Sequence, residues 1–376
     1  MSAKLMDLAA AAGVSISTVS KVLNGRPGVS GEKRDEILRL AAEQNYKPRS
    51  SPRPATLIDI VIRCIDNPWA TLLLEGAYAE ASRAGVGLAV TVTRGRDLGN
   101  QVWLERVVKR RTDGLILAVS GFSAGIDVEL SRLRIPYVLV DPIGDPPPGI
   151  PVVGATNYDG GRAAVDHLAS LGHKDIAVIA GAPNLACSQE RLDGFRNAMA
   201  QAGLSVPTDY ILHGNFTIEG ARKAAQRLFR LPKRPSAVFV ASDLQALGVY
   251  QAADEAGLRI PNDLSVVGFD DSPLANWMIP KLTTVRQPLE DMTRQAVRIL
   301  LDIINGNQEM LSTRLHLATS LVVRNSTAAP CDLRSRRDQP LTAPVNPPTI
   351  LRSKSEKKIS AGSIDSDVYA NTIAVS

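Results

Sequence analysis

The sequence predicts an α/β protein: a small all-α head followed by two similar Rossmann-like lobes. Two observations carry this prediction. From residue 57 onward, short apolar runs alternate with amphipathic helical stretches, the pattern of parallel sheets covered on both faces. That strand–helix order is run through twice. Ahead of it, within residues 1–46, apolar residues recur only at helical spacing.

In the head, Leu5, Leu8, Ala9 and Ala12 stand at i, i+3, i+4 and i+7 and form one apolar face of a short helix. Gly13 offers the left-handed conformation that ends a helix, and Ser15 is a good N-cap for the next. In that second helix Val19, Val22 and Leu23 share a face, which leaves Ser17, Thr18, Ser20 and Lys21 to point elsewhere. Two short helices joined by a tight turn, the second carrying hydroxyls and a cation, predict a helix-turn-helix, a shape that fits the major groove of DNA. A third helix over residues 30–45 turns Ile37, Leu40 and Ala41 inward, with Tyr46 closing it. Residues 47–56 contain Pro48, Pro52 and Pro54 among Arg and Ser, a composition for a semi-extended linker.

Predicted strands of the first lobe lie at 57–62, 87–92, 114–119 and 137–140, and those of the second at 175–180, 210–213, 237–241 and 265–269. Between them, 71–84, 160–171, 190–202, 219–229 and 245–256 read as helices. Residues 327–376 are rich in Pro, Ser, Arg and Lys without periodicity and are expected to be disordered.

At 376 residues the chain suits two or three compact units. No apolar run is long enough for a bilayer and no signal-like stretch follows Met1, so a cytoplasmic protein without membrane partners is expected. Cys64, Cys187 and Cys331 lack metal-ligand spacing and read as reduced thiols. With only four scattered histidines, no metal or cofactor is expected. The net charge of +5 is unevenly placed: residues 1–56 hold nine basic and five acidic groups. A polyphosphate partner favours that distribution.

The head resembles that of the LacI/GalR family of bacterial transcription regulators. The matching elements are Asp7-Leu8-Ala9, Ala12-Gly13-Val14-Ser15, Thr18-Val19-Ser20 and Val22-Leu23-Asn24. The body continues the resemblance with Asn67-Pro68-Trp69, the run from Arg191 to Phe195, the run from Ser265 to Asp271, and the run from Leu282 to Pro288. It covers roughly residues 4–326. By similarity it implies a periplasmic-binding-protein-like core closing on a small ligand, and a homodimer. The expected domains are a head at 1–46, a linker at 47–56, a two-lobed core at 57–326 and a tail at 327–376. The first lobe takes about 57–155 plus 286–310, and the second about 156–285 plus 311–326.

Open α/β sheets bind ligands beyond the carboxyl ends of their strands. Asp141, Asp270 and Ser242 follow predicted strands and can face one crevice, whereas Asp243 reads as a cap or brace between elements. Carboxylates and arginine suit polyhydroxyl ligands, since each hydroxyl both donates and accepts. Arg191 is the leading candidate, with Trp69, Phe122 and Phe216 available to stack on a sugar ring and Gln287 at the crossover. Resemblance and this residue set together point to a carbohydrate or glycoside effector, with purine-type effectors also found in the family.

The resemblance implies a regulator whose dimer presents two heads to a roughly palindromic operator, with repression relieved by ligand. By family position Ile16 and Ser17 touch base edges, while Ser15, Thr18, Ser20, Lys21 and Asn24 position phosphates. The linker departs from the family: it is about five residues shorter and lacks the leucine that wedges into the minor groove. Arg49 and Arg53 are then expected to enter that groove by charge, favouring A·T-rich centres.

Two other readings compete. A sugar receptor without sequence-specific DNA binding has no use for residues 1–46. A nucleotide-dependent enzyme needs motifs that are missing: no Gly-x-Gly-x-x-Gly follows a strand, and no Walker-type or Gly-x-Ser-x-Gly pattern occurs. Asp270 and Asp271 are adjacent, so their side chains diverge. No enzyme activity is expected.

Overall fold

The computed structural model describes residues 5–23, 28–43, 55–93, 102–118, 124–142 and 146–330. The head consists of α1 (Leu5–Ala11), α2 (Ile16–Leu23) and α3 (Gly31–Glu43). Leu8, Ala9, Ala12, Val19, Val22, Ile37 and Ala41 make its core, as the helical spacing dictates. Gly13 has φ +61° between α1 and α2, a conformation a side chain would strain. Ser15 caps α2 by accepting the Thr18 N–H at 3.1 Å.

The first lobe runs β1 (Leu57–Ile62), α4 (Pro68–Arg83), β2 (Gly87–Val92), α5 (Val102–Arg110), β3 (Gly114–Ala118), α6 (Ala124–Leu133), β4 (Tyr137–Val140) and β5 (Val152–Ala155). The second runs α7 (Asn157–Ser170), β6 (Ile176–Ala180), α8 (Ala186–Gln201), β7 (Ile211–His213), α9 (Ile218–Phe229), β8 (Ala237–Val240), α10 (Asp243–Glu255), β9 (Ser265–Asp270), α11 (Pro273–Trp277) and β10 (Thr283–Arg286). The chain then gives α12 (Leu289–Ile304) and β11 (Arg314–Leu317) to the first lobe and β12 (Ser320–Val322) to the second.

The first sheet has the order β11-β5-β4-β3-β1-β2 and is parallel throughout. The second has the order β12-β10-β9-β8-β6-β7, with only β12 antiparallel. Strand side chains alternate faces. Ile58, Ile60 and Ile62 meet α4 and α12 in one core, while Val61 turns to α5 and α6 in another. Strands β6, β7, β8 and β9 of the second lobe are likewise shared between a core on α7 and α8 and one on α9 and α10.

Two expected boundaries shift. Residues 311–326 do not all belong to the second lobe, because Arg314–Leu317 pairs with Val152–Ala155 in the first-lobe sheet. The third crossing therefore falls between β11 and β12, where Thr319 N–H donates to Thr156 Oγ1 at 3.0 Å and Thr319 Oγ1 donates to the Thr156 carbonyl at 3.1 Å. The expectation of disorder from residue 327 also fails for 327–330. Buried His173 lies 2.9 Å from the Ala328 carbonyl, and Ala328 N–H donates to Ser265 Oγ at 3.1 Å, so the backbone there has fixed partners. No helix among the described residues is long and apolar enough to cross a membrane.

Candidate effector cleft and nucleic-acid interface

The strand ends of both sheets open on one cavity of about 140 Å³. Of the predicted effector residues, Trp69, Asp141, Arg191, Phe216, Ser242 and Asp270 all line it. Trp69 arrives on the first turn of α4, whose start is fixed by Asn67: its Oδ1 accepts the Ala70 N–H at 2.9 Å and its Nδ2 donates to Cys64 Sγ at 3.1 Å. Trp69 also packs on the first-lobe core, so core and cleft share it. Phe216 reaches the cavity because Gly181 has no side chain; a Cβ there would sit 2.1 Å from the Phe216 ring.

Arg191 is the buried centre of the cleft. Its Nε donates to Asn157 Oδ1 at 2.9 Å and its Nη1 to the Ala241 carbonyl at 2.6 Å. The guanidinium lies 3.8 Å from the Phe269 ring centroid and 3.8 Å from Asp270 Oδ1. It does not pair with its helix neighbour Asp193, which binds Arg196 instead. Asn157 also points Nδ2 at Asp141 Oδ1, 3.5 Å away. A polar chain thus crosses from Asp141 in the first lobe through Asn157 and Arg191 to Asp270 in the second.

Burial pushes the Asp270 and Asp141 carboxyls above the ordinary carboxylate range, against the pull of Arg191. Burial, then the nearby Asp141 charge, pushes the Cys187 thiol up to about 12, which leaves it unreactive. Asp141, Asn215, Phe216, Asp270 and Asp271 all have positive φ. Such backbone is costly for non-glycine residues and persists where surrounding structure enforces it, often at ligand sites.

Gln287 is a correction. It does not line the cavity; it is buried behind Asp270 and donates Nε2–H to Asp270 Oδ1 at 2.7 Å. Its position just past β10 puts it under the sheet end rather than in the crevice. Ser242 has two tasks, lining the cleft and accepting the Gln245 N–H at 3.2 Å to start α10. Asp243 acts as the expected brace: Oδ2 accepts from Ser272 N–H at 2.7 Å and Oδ1 from Thr284 Oγ1 at 2.6 Å. Asp271 turns away to Arg286 and Arg324. Phe122 lies outside the described residues.

Sequence reasoning missed Asn157, Cys187 and Arg63. Asn157 follows β5, a four-residue strand; recognising that strand marks Asn157 as another strand-end residue. Cys187 and Arg63 carried no sequence signal beyond nearness to Arg191 and to β1.

In the head, Ile16 is 44% exposed rather than packed under Val19, and Ser17 and Lys21 are exposed beside it. Ser15 is engaged in the cap, its Oγ also 2.7 Å from Ser17 Oγ and 2.8 Å from Thr18 Oγ1. Ser20 falls within α2. Asn24, Arg49 and Arg53 lie outside the described residues, as does most of the linker.

A helix-turn-helix and a two-lobed cleft with a buried arginine and carboxylates on one chain define a ligand-responsive transcription regulator. Residues 4–49 match the model described as bacterial regulatory proteins, lacI family, and residues 165–327 match the periplasmic binding protein-like domain. The chain is 32% identical over 329 residues to the ribose operon repressor of Haemophilus influenzae, covering 86% of this chain and 98% of that one. Among solved structures, the transcriptional regulator CelR–cellobiose complex is 32% identical with TM-score 0.64, covering 86% of this chain and 99% of that chain. The Lac repressor dimer bound to operator and the anti-inducer ONPF is 28% identical with TM-score 0.65, covering 88% and 100%. The chain belongs to the LacI family of transcription regulators, and the enzyme reading lapses with that membership.

Proposed function

We propose that the protein is a cytoplasmic repressor that binds a roughly palindromic operator as a homodimer and releases it when a sugar or glycoside is held between the lobes. The observation that carries this is the cleft itself: Arg191 and two carboxylates meet between aromatic walls on a chain whose head presents Ile16 and Ser17 outward. Hydroxyls of a sugar can donate to Asp141 and Asp270 and accept from Arg191, while its apolar face lies on Trp69 or Phe216. Ile16 and Ser17 read base edges, Thr18, Ser20, Lys21 and Asn24 hold phosphates, and Arg49 and Arg53 enter the minor groove. The relatives named as a ribose operon repressor and as a cellobiose complex support both halves.

Ligand and operator are coupled through one two-state element, the relative placement of the lobes. Selection of genomic fragments by the purified protein, with and without a sugar panel, tests this. One palindromic site, enriched alone and lost with a particular sugar, is the expected result. Binding without sequence preference, unchanged by every sugar, overturns it.

A further inference from the structure

We propose that the effector is a free, unphosphorylated sugar and that the cleft rejects sugar phosphates. The inference rests on the carbohydrate reading above and narrows it.

The argument is one of charge. Asp141 and Asp270 line the cavity, and the wholly buried Asp243 stands behind Asp270. Asp243 is satisfied only by neutral donors, from Ser272 and Thr284. Against these three carboxylates the cleft sets, among the described residues, one buried cation, Arg191, and two of its nitrogens are already committed to Asn157 and Ala241. Arg63, the other lining cation among the described residues, is exposed at the rim, where water screens it. The carboxyls are held above their ordinary range mainly by burial, against the pull of Arg191 on Asp141 and Asp270, and for Asp243 next by Asp270 itself.

Three helices begin at the cleft, and helix N-termini ordinarily attract anions. Two of the three starts already have their own acceptor. Asn67 caps α4, and Pro68 removes one N–H. Ser242 caps α10, with Asp243 in its first turn. The start of α8 has no side-chain cap, and the Asp141 carboxylate of the opposite lobe lines the same cavity as Ala186 and Cys187 in its first turn. The protein's own groups thus fill the places a phosphate would take at α4 and α10, and at α8 a phosphate would share the cavity with Asp141. A phosphoryl group carries about −1.5 to −2 charge at neutral pH and would lie among these carboxylates. A neutral polyol meets no such penalty.

A sensor built this way reports the product of a glycoside hydrolase, or of uptake that leaves the sugar unmodified, and it acts ahead of any kinase step. Phosphorylating the sugar removes it from the sensor's view.

Calorimetric titration of the full chain at low ionic strength tests this with matched pairs: ribose and ribose 5-phosphate, glucose and glucose 6-phosphate, cellobiose and its 6′-phosphate. The expected result is that a free sugar binds and its phosphate binds at least about a hundredfold more weakly, the scale of like-charge juxtaposition. Asp141→Asn, nearly isosteric, is expected to narrow that ratio. A phosphate that binds as tightly as its parent overturns the proposal and leaves the sugar effector standing. An unchanged ratio in Asp141→Asn overturns the charge argument. If no sugar binds in either form, the carbohydrate reading falls and takes this proposal with it.

Discussion

At the residue scale, Gln287 and Lys21 illustrate two placements, one side chain acting through a neighbouring group and the other exposed on a helix. Gln287 reaches no cavity surface, yet its bond to Asp270 fixes where that carboxylate stands. In Gln287→Leu, Asp270 loses this donor inside a buried site, and hydrogen bonds to charged groups are worth about 1.5–3 kcal/mol. Sugar affinity is therefore expected to fall at least about tenfold while operator affinity without sugar stays unchanged. Paired titrations of sugar and operator check this, and equal losses in both would mean a folding defect. Lys21 is exposed on α2 and suits a phosphate, whose contact carries no base information. Lys21→Ala is expected to weaken all DNA alike and reduce the salt slope by about one. Changing Ile16 or Ser17 is expected to alter the preferred sequence. Binding to a randomised operator pool separates these outcomes, and a changed preference in Lys21→Ala would reverse the assignment.

At the element scale, helix α4 ties the cleft to the first-lobe core. Its first turn carries Trp69, and further along Glu80 is 3% exposed against α12. Arg298 holds Glu80 through two bonds, Nε to Oε1 at 2.9 Å and Nη2 to Oε2 at 3.1 Å, and Arg83 adds a third partner from within α4. These bonds, Arg298's first, hold the Glu80 carboxyl at about 2, against an ordinary 4.5. A depressed carboxylate stabilises the fold at pH above its unfolded value, and that stability disappears as pH falls from about 4.5 toward 2. Glu80→Gln is expected to cost about 2 kcal/mol at neutral pH and to converge with the parent in acid. Urea unfolding across pH 2–7 reads this directly, and a difference that persists at pH 2 would assign the cost to packing instead.

How much of this architecture could be read from the chain follows from the same elements. The buried parallel strands β3, β4, β6 and β8 are continuous apolar runs, and β1 and β9 are largely so, β1 interrupted by Asp59 and β9 bounded by Ser265 and Asp270; such runs betray themselves. The edge strands β11 and β12 do not. Arg314–Leu317 alternates exposed with half-buried residues, and Ser320–Val322 has only three residues. A short half-exposed strand has no periodic signature of its own; only pairing with β5 and β10 defines it. That is why the third crossing was misplaced. The cleft was legible where residues end strands, as at Asp141, Ser242 and Asp270. Gln287 was misjudged because sequence position does not reveal which side of Asp270 it occupies.

At the scale of the whole molecule, a head of three short helices offers one groove contact, and tight operator binding requires two heads held together. The second lobe leaves two large apolar side chains in solvent two residues apart: Trp277 is 72% exposed and Ile279 is 92% exposed. Scattered single exposures are ordinary, but adjacent bulky ones mark a contact surface. A two-fold dimer uses the same patch on both subunits, and pairing these residues with their copies would cover both. Joining the heads makes the second half-site contact intramolecular, which multiplies affinity by at least about a hundredfold without new contacts. The double substitution Trp277→Glu with Ile279→Glu places four like charges in that interface. It is expected to give a folded monomer by light scattering, an operator affinity lowered by at least about a hundredfold, and a salt slope near half the original, since half the phosphates are neutralised. Sugar affinity should persist, because the cleft lies within one chain. A variant that stays dimeric with full operator affinity would place the interface elsewhere, and a monomer that keeps that affinity would end the two-head argument.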